Sequence, residues 1–272
     1  MTKGQFHKMH GLGNDFVIVD ARAYDIAQTL KMPPEKAAAI ANRHSGIGCD
    51  QLIILTRSDR ADARMQIFNA DGGEVEACGN ATRCVVKLLG DGTIIETDGG
   101  ILSGNVTDNG AVVDMGKPRF DWQSIPLAYA MDSNHMPVGW EDLTDPAAVN
   151  IGNPHVIFFV SDNNKIPLNR LGPIIETDPL FPDRVNVNIA HITGNDIHLR
   201  VWERGVGLTR ACGTGACATA VAAIKRGLVQ SPVQVHLPGG ILIISWQDDQ
   251  TIQMQGPTTY VYSGETDWDN FG

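Results

Sequence analysis

The sequence predicts an α/β (α+β) protein made of two pseudo-symmetric halves, each a barrel of short mixed strands around a central helix. Three observations carry this expectation: an internal repeat, a period-two alternation of apolar and polar residues in each copy, and a helix of small and aliphatic residues after it. The length of 272 residues exceeds one average core and suits two domains.

The repeat pairs Gln66-Ile67-Phe68 with Arg200-Val201-Trp202, Gly73 with Gly207, and Ala77-Cys78-Gly79 with Ala211-Cys212-Gly213, all at one constant offset. Further on, Gly99-Gly100-Ile101-Leu102 recurs as Gly239-Gly240-Ile241-Leu242 at a slightly larger offset, which a small insertion in the second copy explains. The Gly-Asn pairs Gly13-Asn14 and Gly152-Asn153 stand near the front of each copy.

Within the copies, Arg64–Phe68 and His198–Trp202 alternate as half-buried strands do, and a glycine-bearing loop follows each. Ala81–Leu89 and Gly215–Ile224 are apolar or small on nearly every face, as helices enclosed by protein are. Thr93–Thr97, Ala111–Met115, Val233–Leu237, Ile241–Trp246 and Thr251–Met254 have the length and bounding residues of short strands. Pro33–Asn42 suits an outer helix entered through Pro34, and Asp121–Pro146 an irregular excursion. The expected domains are 1–118 with 258–272, carrying Cys78, and 119–257, carrying Cys212.

Composition narrows the function. Hydrophobic residues are 43% of the chain, enough for a real core, and 21 Lys+Arg against 31 Asp+Glu leave a formal charge of -10. Such a charge repels nucleic-acid backbones and anionic lipid headgroups. No apolar run approaches the roughly 18 residues of a membrane span, and the start does not resemble a secretion signal, so a cytoplasmic protein is expected. Five cysteines in a long chain, without a C-x-x-C pair, suggest reduced thiols and no structural metal.

Cys78 and Cys212 stand at equivalent positions, each opening a central helix with glycine next. Unpaired N–H groups and partial positive charge at a helix start favour thiolate over thiol. Those N–H groups, of Gly79-Asn80 and Gly213-Thr214, also suit a carboxylate. Two duplicated halves presenting one sulfur each to opposite faces of a carbon would supply what racemisation without a cofactor requires: one removes a proton and the other delivers its replacement. Amide donors aimed at the carboxylate would stabilise the intervening enediolate-like charge. Small buried cysteines at tight helix entries, or a redox pair, are the alternatives. Cys84, Cys217 and Cys49 are expected to be packing residues.

Lys8–Phe16, Gly48–Gln51, Phe68–Arg83, Gly152–His155, Asn186–Ile189 and Glu203–Ala216, in this order and spacing, resemble the diaminopimelate epimerase family across nearly the whole chain. The resemblance implies that family's fold and the pyridoxal-independent interconversion of LL- and meso-2,6-diaminopimelate in lysine and peptidoglycan-precursor synthesis. It implies Cys78 as the base toward the LL isomer and Cys212 toward the meso isomer. Gly79, Asn80, Gly213 and Thr214 would hold the carboxylate at the reacting centre, with Asn14 and Gln51 nearby. The distant end would fall to Asn69, Asn153, Asn186, Glu203 and Arg204, with His155 in support. No cofactor and no metal are implied, and a homodimer with Tyr262 as a contact is. Leu208 and Ala81 depart from the family pattern, which bears on thiol tuning. Proline racemase, hydroxyproline epimerase and phenazine-biosynthesis isomerases share the architecture; Arg204, Glu203 and three asparagines favour a substrate with a second charged end. A non-catalytic amino-acid-binding protein would have no use for twin thiols.

Overall fold

A computed structural model of the chain describes residues 3–23, 32–76, 78–247 and 250–271. In chain order the first part holds β1 (Lys3–Gly11), β2 (Asn14–Asp20), α1 (Pro34–Ala41), β3 (Gln51–Thr56), β4 (Ala63–Asn69), β5 (Glu74–Val75), α2 (Gly79–Leu89), β6 (Thr93–Thr97), β7 (Gly100–Thr107) and β8 (Gly110–Asp114). There follow β9 (Gly139–Trp140), β10 (Leu143–Thr144), β11 (Ala147–Asn150), β12 (Pro154–Phe159), α3 (Leu168–Glu176), β13 (Asn186–Thr193), β14 (Asp196–Glu203) and β15 (Gly207–Thr209). The last are α4 (Gly213–Lys225), β16 (Val233–Leu237), β17 (Gly240–Ser245), β18 (Gln253–Pro257) and β19 (Thr259–Asp267).

The chain divides into two compact units, Met1–Val113 with Gly256–Gly272, and Asp114–Gln255. The first switch comes at Val113 rather than Pro118 because Met115 and Gly116 already belong to the second unit: Met115 N–H donates to Ile252 O (2.8 Å) and Ile252 N–H to Gly116 O (2.9 Å). The return comes at Gly256, inside β18, rather than at residue 258.

Both units follow one strand plan. In the first, β1 and β2 are antiparallel, β2 and β3 parallel (Ile18 opposite Ile53), β3 and β4 antiparallel (Ile53 opposite Ile67), β4 and β6 parallel, and β6 and β7 antiparallel. The second repeats this sequence with β11 and β12, β12 and β13, β13 and β14, β14 and β16, and β16 and β17. A parallel pair needs a crossover, and in each unit helices supply it. α1 and α3 connect the first parallel pair; α2 and α4 connect the second, after a short antiparallel return by β5 or β15. The insertion also has a place: α4 has 13 residues against 11 in α2, and its link to the next strand runs over 226–232 against 90–92.

The central helices are buried for the reason their sequences suggest. Gly213 to Ala223 of α4 are all buried, and α4 packs against β11, β12, β13, β14, β16 and β17. α2 is buried from Gly79 to Val86 and packs against β1, β2, β6 and β7. The outer helices fill separate cores. Ala37 and Ile40 of α1, entered through Pro34, meet Val17, Leu52, Phe68 and Cys49. Leu168, Leu171 and Ile175 of α3 meet Phe158, Val187 and Ile189.

Two sequence expectations need correction. The segment Asp121–Pro146 is more than an excursion: it contains the β9–β10 hairpin, and its Ile125, Leu127, Met136 and Leu143 are buried in the second unit's core. The strand expected at Thr251–Met254 runs instead over Gln253–Pro257, because Thr251 and Ile252 are held in the connection through Asp114 and Gly116.

β19 brings the chain back to pair with β1, and Trp268 just beyond it is fully buried with Phe6, Val17 and Ile40. Trp268→Ala is therefore expected to cost about 3–5 kcal/mol by loss of transfer energy plus a cavity, read as a lower midpoint in urea unfolding of the first unit.

Candidate active site

Strand direction gathers polar residues at one end of each unit. In the first, a two-residue turn with Leu12 and Gly13 both at positive φ (57° and 83°) makes Asn14 the first residue of β2. Gln51 starts β3, parallel to β2, and Asn69 ends β4, antiparallel to β3, so all three lie at the same end. In the second unit the same logic assembles Asn153 just before β12, Asn186 at the start of β13 and Glu203 at the end of β14. Two copies of one plan therefore carry different side chains: three neutral amides in one, two amides and a carboxylate beside Arg204 in the other.

Each cysteine is the N-cap of its central helix. Cys78 (φ -145°, ψ 108°) and Cys212 (φ -122°, ψ 110°) are extended, and their carbonyls accept the first helical bonds, from Thr82 N–H (2.9 Å) and Ala216 N–H (3.0 Å). The first turn behind each cap opens with Gly79 and Asn80 in one unit and with Gly213 and Thr214 in the other, and in the second the sulfur turns back to accept from that turn.

In the first unit Cys78 is half-buried, and its Sγ lies 3.8 Å from Asn14 Oδ1, which also accepts from Asn80 Nδ2 (3.3 Å). Asn80 Oδ1 in turn accepts from the buried Arg83 guanidinium (2.8 Å). On its other side Asn14 Nδ2 donates to Asp50 Oδ2 (3.2 Å). Arg43 bridges Asp50 and Asp15. Burial works against the Asp15 charge, but Arg43 and Lys8 outweigh it and hold the carboxyl well below the usual carboxylate range. Gln51 Nε2 donates to Asn69 Oδ1 (2.9 Å), while Gln51 Oε1 is a buried acceptor without a protein partner.

In the second unit Cys212 is 3% exposed. Its Sγ accepts from Gly215 N–H (3.4 Å) and lies 3.6 Å from Thr214 Oγ1. The expectation that a helix start lowers the thiol pKa fails here: burial first, and then the neighbouring Glu203 charge, push the Cys212 thiol well above its ordinary value. The magnitudes explain the outcome. A helix terminus is worth about 0.3–1 kcal/mol at an exposed site, under one pKa unit, whereas full burial moves a group by up to about 3–5 units. Glu203 is itself pushed up, by burial, although Thr209 and Cys212 bond to it.

His155 is fully buried and neutral, its pKa pushed down to about 3 by burial. Its Nε2 meets Asn153 Oδ1 at 2.9 Å. Asn186 is tied at both ends, Nδ2 to Pro154 O (2.8 Å) and Oδ1 to Arg204 N–H (2.9 Å), so its evident work is to hold the backbone of Arg204. Arg204 Nη1 donates to Asp183 O (2.9 Å). Of the two departures, Ala81 is buried in the first turn of α2 and Leu208 is exposed on β15. Cys49, Cys84 and Cys217 are buried in the cores; burial pushes Cys49 up to about 11 and Cys84 up to about 12. Sequence reasoning missed Asn188, Asp50 and Arg43. The alternation Asn186-Val187-Asn188, a second amide within an apolar strand, was the available signal for the first.

Among the described residues no helix is long and apolar enough to cross a membrane, and no group of three or more His, Cys, Asp or Glu is placed to hold a metal ion.

This duplicated architecture is that of a group of solved structures that includes isomerases of small amino acids. A phenazine biosynthesis protein of Bacillus anthracis matches with TM-score 0.67 at 17% identity, over 98% of this chain and 99% of that one. A probable proline racemase of Agrobacterium radiobacter matches with TM-score 0.70 at 15% identity, over 98% and 94%. A hydroxyproline epimerase of Agrobacterium vitis matches with TM-score 0.67 at 14% identity, over 98% and 91%. At such identities the likeness is one of fold. Within that fold the chain belongs to the diaminopimelate epimerase family, whose model matches residues 6–121 and 147–261. It is 61% identical to the diaminopimelate epimerase of Rhizorhabdus wittichii over 98% of this chain and 97% of that protein, and 60% identical to that of Sphingopyxis alaskensis over 98% and 99%.

The thiols are expected to separate by access and charge. In a short pulse of iodoacetamide at pH 8, Cys78 reacts first and Cys212 more slowly, while Cys49 and Cys84 react only after unfolding, as read by peptide mass mapping. Glu203→Gln removes the neighbouring anion, so the Cys212 thiol pKa falls and its alkylation accelerates several-fold at a fixed pH where Glu203 is ionised.

Proposed function

We propose that the protein interconverts LL- and meso-2,6-diaminopimelate without a cofactor, in lysine and peptidoglycan-precursor synthesis, with Cys78 and Cys212 as the acid and base. The observation that carries this reading is the repeated N-cap cysteine in a chain of the diaminopimelate epimerase family.

Starting from the LL isomer, the Cys78 thiolate takes the α-proton: an S–H bond forms, the C–H bond breaks, and the electron pair moves into the α-carbon and its carboxylate. The Cys212 thiol then gives its proton to the opposite face and is left as thiolate. The raised thiol pKa of Cys212 supports this direction, because it keeps that sulfur protonated before turnover. The N–H groups of Gly79, Asn80, Gly213 and Thr214 hold the carboxylate as negative charge grows there. Asn14 and Gln51 serve the same end of the substrate. Asn69, Asn153, Glu203 and Arg204 take the far amino-acid end, where Arg204 pairs with carboxylate and Glu203 with ammonium, and Asn186 serves that end by holding the Arg204 backbone.

The reading also makes the chain a cytoplasmic homodimer. Three consecutive exposed residues on β19, Tyr260, Val261 and Tyr262, support a contact between copies. Sedimentation velocity reads the mass directly; a monomer at micromolar concentration would discard this part.

Purified protein given LL-diaminopimelate, with no addition, is expected to form the meso isomer by chiral chromatography. In deuterium oxide the product carries solvent deuterium at the inverted carbon. Cys78→Ala and Cys212→Ala each lower turnover on the order of 10²- to 10⁴-fold. Near-normal turnover in either variant, or retention of the original hydrogen, would sink the two-thiol assignment.

A further inference from the structure

We propose that Asn188 is a positioning residue of this site: by fixing the ring tautomer of His155 it decides which end of the Asn153 amide is left to meet the ligand. The inference rests on the function proposed above for its catalytic meaning, and on the second unit alone for its geometry.

Asn188 lies mid-strand in β13, fully buried between Val187 and Ile189, where an apolar residue would continue the core. Its Nδ2 lies 3.0 Å from Val156 O, 3.2 Å from Asn186 O and 3.2 Å from His155 Nδ1. Two of these neighbours are backbone carbonyls, which only accept, so the amide end facing them must be the NH₂. A proton on His155 Nδ1 would then point at another donor. The ring is therefore bare at Nδ1 and protonated at Nε2. That proton donates to Asn153 across 2.9 Å, so the facing Asn153 atom is Oδ1 and its Nδ2 is left as a donor. Orientation passes in this way from two backbone carbonyls to a side chain just before β12, at the polar end of the unit.

The amide is retained at a cost in pairing that points the same way. Asn188 Oδ1 is buried with no hydrogen-bond partner. It lies against the start of α4, where a Cβ on Gly215 would stand 2.7 Å from it and 3.2 Å from Cys212 Sγ. Gly215 is thus the one residue that lets its N–H reach the sulfur while the Asn188 amide stays beneath. A residue present only for packing would not leave an acceptor unpaired there; the NH₂ end accounts for it.

The test is ring tautomer, read by long-range ¹H–¹⁵N correlation on protein with ¹⁵N-labelled histidine, the His155 signals assigned by their loss in His155→Gln. Wild type is expected to be neutral at His155 with the proton on Nε2 from pH 6 to 8. Asn188→Asp, at a pH where its carboxyl is ionised, offers Nδ1 an acceptor in place of a donor, so the proton moves to Nδ1, Asn153 turns over, and KM rises tenfold or more with a smaller change in kcat. Asn188→Ala, which removes the lock without adding charge, is expected to populate both tautomers. A wild-type proton on Nδ1 would overturn the proposal with no variant needed, and so would an Asn188→Ala ring that keeps its proton on Nε2 alone. An Nε2 proton in a wild type that does not turn over diaminopimelate would support the placement and sink only the function.

Discussion

The change from extended to helical backbone at a cysteine is the constraint on which the rest of each unit depends. A thiol at an N-cap is useful only if the residue behind it leaves room, and each first turn opens on a glycine, Gly79 or Gly213, immediately after the cap. A helix that begins so must be supported elsewhere, because glycine in a helix costs about 1 kcal/mol relative to alanine. The support is burial: α4 is covered from its first residue through Ala223, and α2 through Val86. The strands that wrap these helices are therefore what holds the caps in place.

That enclosure has an electrostatic consequence opposite to the one a helix terminus suggests. Protein that shields Cys212 from water removes the solvent that would stabilise its thiolate, and the nearby Glu203 carboxylate works in the same sense. A sulfur held in this way is an acid at rest. It becomes a base only when a ligand supplies compensating charge or excludes the competing anion, so in the proposed reaction its protonation state and its occupancy are coupled. Cys78, more accessible and set against the carbonyl end of Asn14, lies in a different field. Duplication supplied the same cap twice; the deeper burial of Cys212 first, and then the divergence of Asn69 against Glu203, equivalent strand ends, make the two thiols unequal.

Much of this was legible in the residues. The constant offset carrying Ala-Cys-Gly twice placed both caps, and alternation in Arg64–Phe68 and His198–Trp202 located the strands that precede them, which the structure extends only to Ala63–Asn69 and Asp196–Glu203. The parts that were not legible depend on contacts remote in sequence. Asp121–Pro146 lacks a period because its buried residues are spaced by turns rather than by a regular element, so Ile125 and Leu143 look isolated until the core they share is seen. The sign of the Cys212 shift could not be read either, since a helix start is a local feature and burial is not. Asn186 shows the same limit: its type suited a ligand contact, but both ends of its amide are engaged with backbone, at Pro154 and Arg204.

Amides dominate both units for a reason that those engagements make plain. An Asn or Gln offers a donor and an acceptor on one rigid plane, and which of them faces a ligand is decided by what holds the other. Asn14 is held by Asp50 on its Nδ2 side and turns Oδ1 to Cys78 and Asn80; Asn69 accepts from Gln51; Asn186 is fixed by two backbone groups. Asn14 and Asn186 are oriented by groups with little choice of their own, a carboxylate that only accepts and a carbonyl fixed at a strand end. Charged side chains would bind a zwitterion more strongly, but buried beside a thiol each would shift its pKa as Glu203 does. Neutral amides of fixed orientation let a site discriminate ammonium from carboxylate while leaving the sulfur's protonation to the helix start and to burial.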